Sequence, residues 1–98
     1  MNKNEILHKI KENRETLKNM GLKQVGLFGS YSRSEANEKS DIDLLIEFLP
    51  EQKNYSNYMR VYDFFEQLFQ KKIDLITKES VSPYIYPYIE SEIVYEKL

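Results

Sequence analysis

Apolar positions along the chain switch between helical and strand spacing, and the switches mark the elements. Ile6, Leu7, Ile10, Leu17 and Met20 recur at roughly one helical turn and predict a helix over residues 5–20, with Asn4 as N-cap and Gly21 as its stop. Val25 and Leu27 then alternate, giving a first strand over Lys23–Phe28. Gly29 permits a tight turn into a short helix expected over Ser30–Asn37, and a polar loop follows to Ser40. In the second strand, Asp41–Phe48, Ile42, Leu44 and Ile46 point one way, and Pro50 ends the run. After a polar connection at 51–54, Tyr58, Met59, Tyr62, Phe65, Leu68 and Phe69 predict an amphipathic helix over Tyr55–Phe69. A third strand is expected over Lys71–Thr77. Ser82-Pro83 is a start signal for a helix over Ser82–Ser91 with Pro87 near its middle or end, and Ile93–Tyr95 closes the chain as a short strand. The pattern predicts an α+β (α/β) fold, a small mixed sheet with helices packed on one face.

The polar positions of the second strand carry the first candidate chemistry. Strand residues alternate sides, so Asp41 and Asp43 would project together with Cα atoms about 7 Å apart. Two like charges held that close disfavour ionisation of both unless a cation lies between them. Oxygen-only ligands suit Mg²⁺ or Mn²⁺, and a carboxylate can bridge two such ions. Just upstream, Gly29 and Ser30 open a helix and offer backbone N–H groups and a hydroxyl to a phosphate. Arg33 lies on the same side, where its planar fork either pairs with a triphosphate or bridges Glu35 or Asp41. Tyr31 is expected to fill space. Asp74 extends the set: the Tyr55–Phe69 helix can cross over and lay the third strand beside the second, bringing a third carboxylate to the pair. Three acids beside a phosphate cradle form the constellation for two-metal nucleotidyl transfer, in which Asp74 would hold the acceptor-side ion and take the hydroxyl proton.

Composition narrows the setting. With 98 residues the chain is expected to be one domain, 1–98, with a modest core and little room for a separate substrate-binding domain. A net charge of −2 gives no bulk attraction to nucleic acid, so polynucleotide binding by bulk charge is disfavoured, while a small charged ligand is compatible with it. The absence of cysteine removes disulfides, thiolate zinc sites and thiol nucleophiles. No apolar run is long enough to cross a bilayer and residues 1–20 are too charged for a secretory signal, so the expected location is the cytoplasm. His8, one residue after Leu7 on the first helix, reads as an ordinary surface or boundary histidine. The C-terminal tyrosines, Tyr84, Tyr86, Tyr88 and Tyr95, are left open between core, base contact and a docking face.

Gly29-Ser30, ten intervening residues, Asp41-Ile42-Asp43 and later Asp74 resemble the nucleotidyltransferase core of the DNA polymerase beta superfamily. More closely, Gly26–Arg33 with Ser40–Ile46, Lys72–Ile76 and the tail from Ser82 resembles the minimal nucleotidyltransferases encoded beside HEPN-domain proteins. The likeness covers most of the chain from Val25 onward. It implies a nucleotidyltransferase-like fold and an antitoxin that uses ATP and Mg²⁺, with two ions expected, to attach AMP to a tyrosine of a partner HEPN ribonuclease and so silence it. Carried over by position, Gly29, Ser30 and Arg33 would engage the nucleotide phosphates, and Asp41, Asp43 and Asp74 would be the catalytic metal ligands. A hetero-oligomer with the HEPN toxin is the implied assembly. Two other readings stay open at this point: a small-molecule nucleotidyltransferase of the aminoglycoside-modifying kind, and an antitoxin that neutralises its partner by binding alone.

Overall fold

A computed structural model describes residues 1–98. Helices α1 (Lys3–Glu12) and α2 (Arg14–Asn19) lead into strand β1 (Leu22–Phe28) and the single-turn helix α3 (Gly29–Ser32). Strand β2 (Ile42–Phe48), helix α4 (Tyr55–Phe69) and strand β3 (Ile73–Thr77) follow, then a 3₁₀ turn at Lys78–Ser80, helix α5 (Tyr86–Glu90) and strand β4 (Val94–Lys97). The four strands form one mixed sheet in the order β3-β2-β1-β4, with β1 antiparallel to both of its neighbours and β2 parallel to β3. A parallel pair requires a crossover, and α4 supplies it.

Burial explains the layering. Ile6, Ile10 and Leu17 from the N-terminal helices, and Val61, Phe65 and Phe69 from α4, meet Val25, Leu27, Leu44, Ile46 and Leu75 in one apolar cluster. Tyr31 joins this cluster and so fills space as expected. The stripe on α4 is rotated from the sequence expectation: Val61 is at its centre, while Tyr58 and Tyr62 lie at the margin. The opposite polar positions of β2 and β3 are left to face outward, and these carry the acids.

Several boundaries differ from the sequence reading. The expected helix over 5–20 is broken at Asn13, whose side-chain amide donates to the Lys9 carbonyl and so competes with continued helix. Its N-cap is Asn2 rather than Asn4, because the Asn2 side chain accepts the Glu5 N–H at 2.9 Å. Helix α3 stops after Ser32 instead of running to Asn37, since Ser34 turns to a positive φ of 59°. The helix expected over Ser82–Ser91 is a turn followed by α5, which puts Pro87 in the first helical turn, where its missing N–H is not needed. Strand β4 runs from Val94 to Lys97, beyond the expected Tyr95, because it pairs along β1 from Leu27 to Gln24.

Candidate active site

The site begins with register. Asp43 on β2 is the direct partner of Asp74 on β3, and Phe28, the last residue of β1, is the partner of Asp43 on the other side. Neighbours in register share a face, so the two carboxylates are held side by side by the backbone ladder. Asp41 is one residue ahead of β2 rather than within it, and its side chain is 43% exposed with the Lys72 ammonium 4.0 Å away. Asp43 and Asp74 thus form a cross-strand pair, and Asp41, whose charge also acts on Asp43, stands at its rim. Strand β2 begins one residue later than the expected Asp41, with the Ile42 N–H bonded to the Lys72 carbonyl.

Electrostatics mark the pair as unfinished. Burial pushes the Asp43 pKa up to about 6, and the charge of Asp74, a hydrogen bond with it and the charge of Asp41 push the same way. Arg33 opposes the shift. No three acidic, histidine or cysteine side chains are gathered closely enough to hold a metal unaided. Mg²⁺ commonly uses one or two carboxylates, with water and substrate phosphate completing its shell. The all-oxygen donor set and the mutual repulsion of Asp43 and Asp74 fit that requirement.

The turn ahead of the acids is built around their size. Gly29 has φ +75°, and a Cβ placed there would fall 2.7 Å from Cγ of Asp43. Glycine is thus required twice, for the left-handed backbone and for the approach of the carboxylate. Ser30, half-buried, follows as the second residue of α3. The Gly29 N–H, one of the expected phosphate donors, is taken by the carboxylate of Glu92 at 2.8 Å. Arg33 donates from Nη1 to the same Glu92 oxygen at 2.7 Å and from Nε to Glu35 at 3.0 Å. Of the two bridging partners considered for Arg33, Glu35 is met. The other ion pair goes to Glu92 rather than to Asp41. The Ser32 hydroxyl completes the arrangement by donating to the Glu92 backbone carbonyl.

Glu92 is the participant that sequence reasoning missed. It stands in the connection between α5 and β4, about sixty residues from the turn, and nothing local distinguishes it from Glu90 or Glu96. The remaining candidates lie elsewhere. His8 is exposed, with its Nε2 2.8 Å from a Glu12 carboxylate oxygen, as a surface histidine would be. Tyr86 and Tyr95 share a hydrogen bond on the face opposite the main core, whereas Tyr84 and Tyr88 are exposed. No helix of the molecule is long and apolar enough to cross a membrane.

A register-locked acid pair, a glycine turn packed against it and a crossover helix joining the two acidic strands define a nucleotidyltransferase core. The nucleotidyltransferase domain family matches residues 7–97, and the chain belongs to that family. A relative in Methanocaldococcus jannaschii, named provisionally as the protein adenylyltransferase MJ1379, is 38% identical over 96 residues, covering 93% of this chain and 94% of its own. The protein adenylyltransferase MntA of Thermococcus cleftensis is 33% identical over 82 residues, 84% of this chain and 82% of its own. A solved structure described provisionally as a minimal nucleotidyltransferase superposes with a TM-score of 0.82 at 23% identity, covering 96% of this chain and 95% of that one. An MNT antitoxin in complex with the tri-AMPylated HEPN toxin of Shewanella oneidensis shares the fold at a TM-score of 0.58 and 18% identity, over 95% of this chain and 66% of that one.

Proposed function

We propose that this chain is a Mg²⁺-dependent protein adenylyltransferase that moves AMP from ATP to a tyrosine hydroxyl of a HEPN-type ribonuclease partner and thereby inactivates it. The observation that carries the reading is the in-register Asp43–Asp74 pair, left without a cation partner of its own beside a glycine turn. The relatives named as protein adenylyltransferases and the AMPylated HEPN complex of the structural neighbour support the substrate and partner classes.

In this reading Ser30, the Gly29 N–H and Arg33 hold the outer phosphates of ATP and leave the α-phosphorus toward the acids. Asp41, Asp43 and Asp74 would hold the Mg²⁺ ions, with Mn²⁺ as a substitute. The bound metal supplies charge neutralisation for the triphosphate and for the departing pyrophosphate. Asp74, the most exposed partner of the pair, faces the acceptor and takes the proton of the tyrosine hydroxyl. The phenolic oxygen forms its bond to the α-phosphorus as the bond to the bridging oxygen breaks, and pyrophosphate leaves with that electron pair. Asp43, between Asp74 and the turn, orients both halves of the reaction.

Incubation with the HEPN partner, Mg²⁺ and ATP, followed by intact-mass measurement of the partner, tests the reading. The expected result is a mass gain in whole AMP units that disappears with EDTA. A tight complex with no mass change would replace it with neutralisation by binding alone.

A further inference from the structure

Two of the three groups assigned above to nucleotide phosphates, the Gly29 N–H and the Arg33 guanidinium, are already engaged by one anion of the chain itself. A single Glu92 oxygen accepts from both, at 2.8 and 2.7 Å. This is the donor set a phosphate oxygen would use: a backbone N–H at a glycine turn plus one arm of a planar fork. We propose that Glu92 is an internal competitor for the triphosphate, a residue that sets nucleotide affinity by occupying the phosphate donors until ATP displaces it. The inference rests on the nucleotide-binding reading of the Gly29–Arg33 turn and goes beyond it by assigning Glu92.

The surroundings suit exchange better than permanent burial. The Glu92 side chain retains 20% exposure and Arg33 47%, so the carboxylate can leave into water without opening the core. Glu92 also lies outside regular structure, between α5 and β4, where a side-chain rotation breaks no ladder bond. Ser32 holds the Glu92 carbonyl rather than its carboxylate, so the backbone stays docked to α3 while the acid departs. Glu35 keeps its own bond to Nε of Arg33 and leaves Nη1 for the incoming phosphate. A triphosphate carries more charge than one carboxylate and wins the exchange once metal offsets the nearby aspartates.

The variant that separates competition from support is Glu92→Gln. Its amide oxygen can still accept the Gly29 N–H, but the charge opposing a phosphate at Arg33 is gone. Competition predicts that Mg²⁺·AMP-PNP binds the variant about fivefold more tightly than the unaltered protein by calorimetry, since the apparent affinity rises as the occupied fraction falls. A supporting role predicts looser binding, because the Arg33 guanidinium would lose the charged partner that positions it. Equal or weaker binding by a variant with unchanged circular dichroism would overturn the proposal while leaving the nucleotide site in place. Absence of AMP-PNP binding by the unaltered protein would overturn the nucleotide reading and this inference together. The unaltered protein gives a second readout that needs no variant. In ¹³C-labelled protein the Glu92 carboxyl resonance should move on saturation with Mg²⁺·AMP-PNP, together with the Gly29 amide; a Glu92 carboxyl that stays fixed at saturation would also overturn displacement.

Discussion

Asp43 and Glu47 point from the same face of the same strand, four residues apart, and the protein treats them in opposite ways. Glu47 receives a hydrogen bond from Gln24 at 2.8 Å and has the ammonium groups of Lys78 and Lys23 at 3.5 and 3.6 Å. Asp43 faces Asp74 in register, with Gly29 packed against its carboxylate and Arg33 drawn off to Glu35 and Glu92. One end of the strand is a finished ion-pair network; the other is a pair of acids whose repulsion is left standing. Such repulsion costs stability in the metal-free chain and is relieved by a cation, and in the proposed function it marks Asp43 as the carboxylate for binding and Glu47 as the structural one.

The sharpest way to break the contrast is to neutralise each acid in turn. Asp43→Asn should lower AMP transfer by about 10³-fold or more, the scale of losing a central charge stabiliser. Glu47→Gln should leave transfer within about twofold, as expected for a residue outside the site. Label transfer from α-labelled ATP measures both, and comparable losses would erase the distinction. Next in size, Gly29→Ala should destabilise the fold by about 2 kcal/mol, because the new methyl meets Asp43 and the backbone is held at positive φ. Urea denaturation reads this directly.

The acid pair also predicts a pH dependence with a definite sign. The Asp43 pKa is about 6 in the folded chain against an ordinary value of 3.8, so the folded state binds its proton more tightly than the unfolded state. Below about pH 4 both states are protonated and this stability is fully present; it is lost as pH rises through about 6, a fall of about 2 kcal/mol for a partly open site. In metal-free buffer, denaturation curves from pH 4 to 7 should show this decline, and Asp43→Asn should flatten it. The smallest effect is expected at the finished end, where Glu47→Gln should change stability by less than about 1 kcal/mol with no dependence on Mg²⁺.

Much of this arrangement was legible in the sequence, for identifiable reasons. Strand alternation in Ile42–Phe48 and helical spacing in Tyr55–Phe69 made the crossover visible, and the crossover brought Asp74 to the second strand. Gly29 was readable as a turn, but its second task, admitting the Asp43 carboxylate, depends on how tightly β1 and β2 pack. Asp41 stands one residue ahead of the first ladder residue, with its charge acting on Asp43, so strand alternation placed it to within one residue of the strand edge. Asn13 breaks a helix through a bond from its own side chain, a choice that apolar periodicity does not register. Glu92 was out of reach for a different reason: its partners Gly29 and Arg33 are brought to it only when β4 adds to the free edge of β1.

In the proposed function Asp43 and Asp74 form a cation site that Mg²⁺ completes. The site is tested most directly by urea denaturation at pH 7, with and without Mg²⁺, of the unaltered chain and of Asp43→Asn. The account predicts that Mg²⁺ stabilises the unaltered chain and has no effect on the variant, which is the more stable of the two without metal. A variant less stable than the parent in metal-free buffer, or equal stabilisation of both proteins by Mg²⁺, would contradict it.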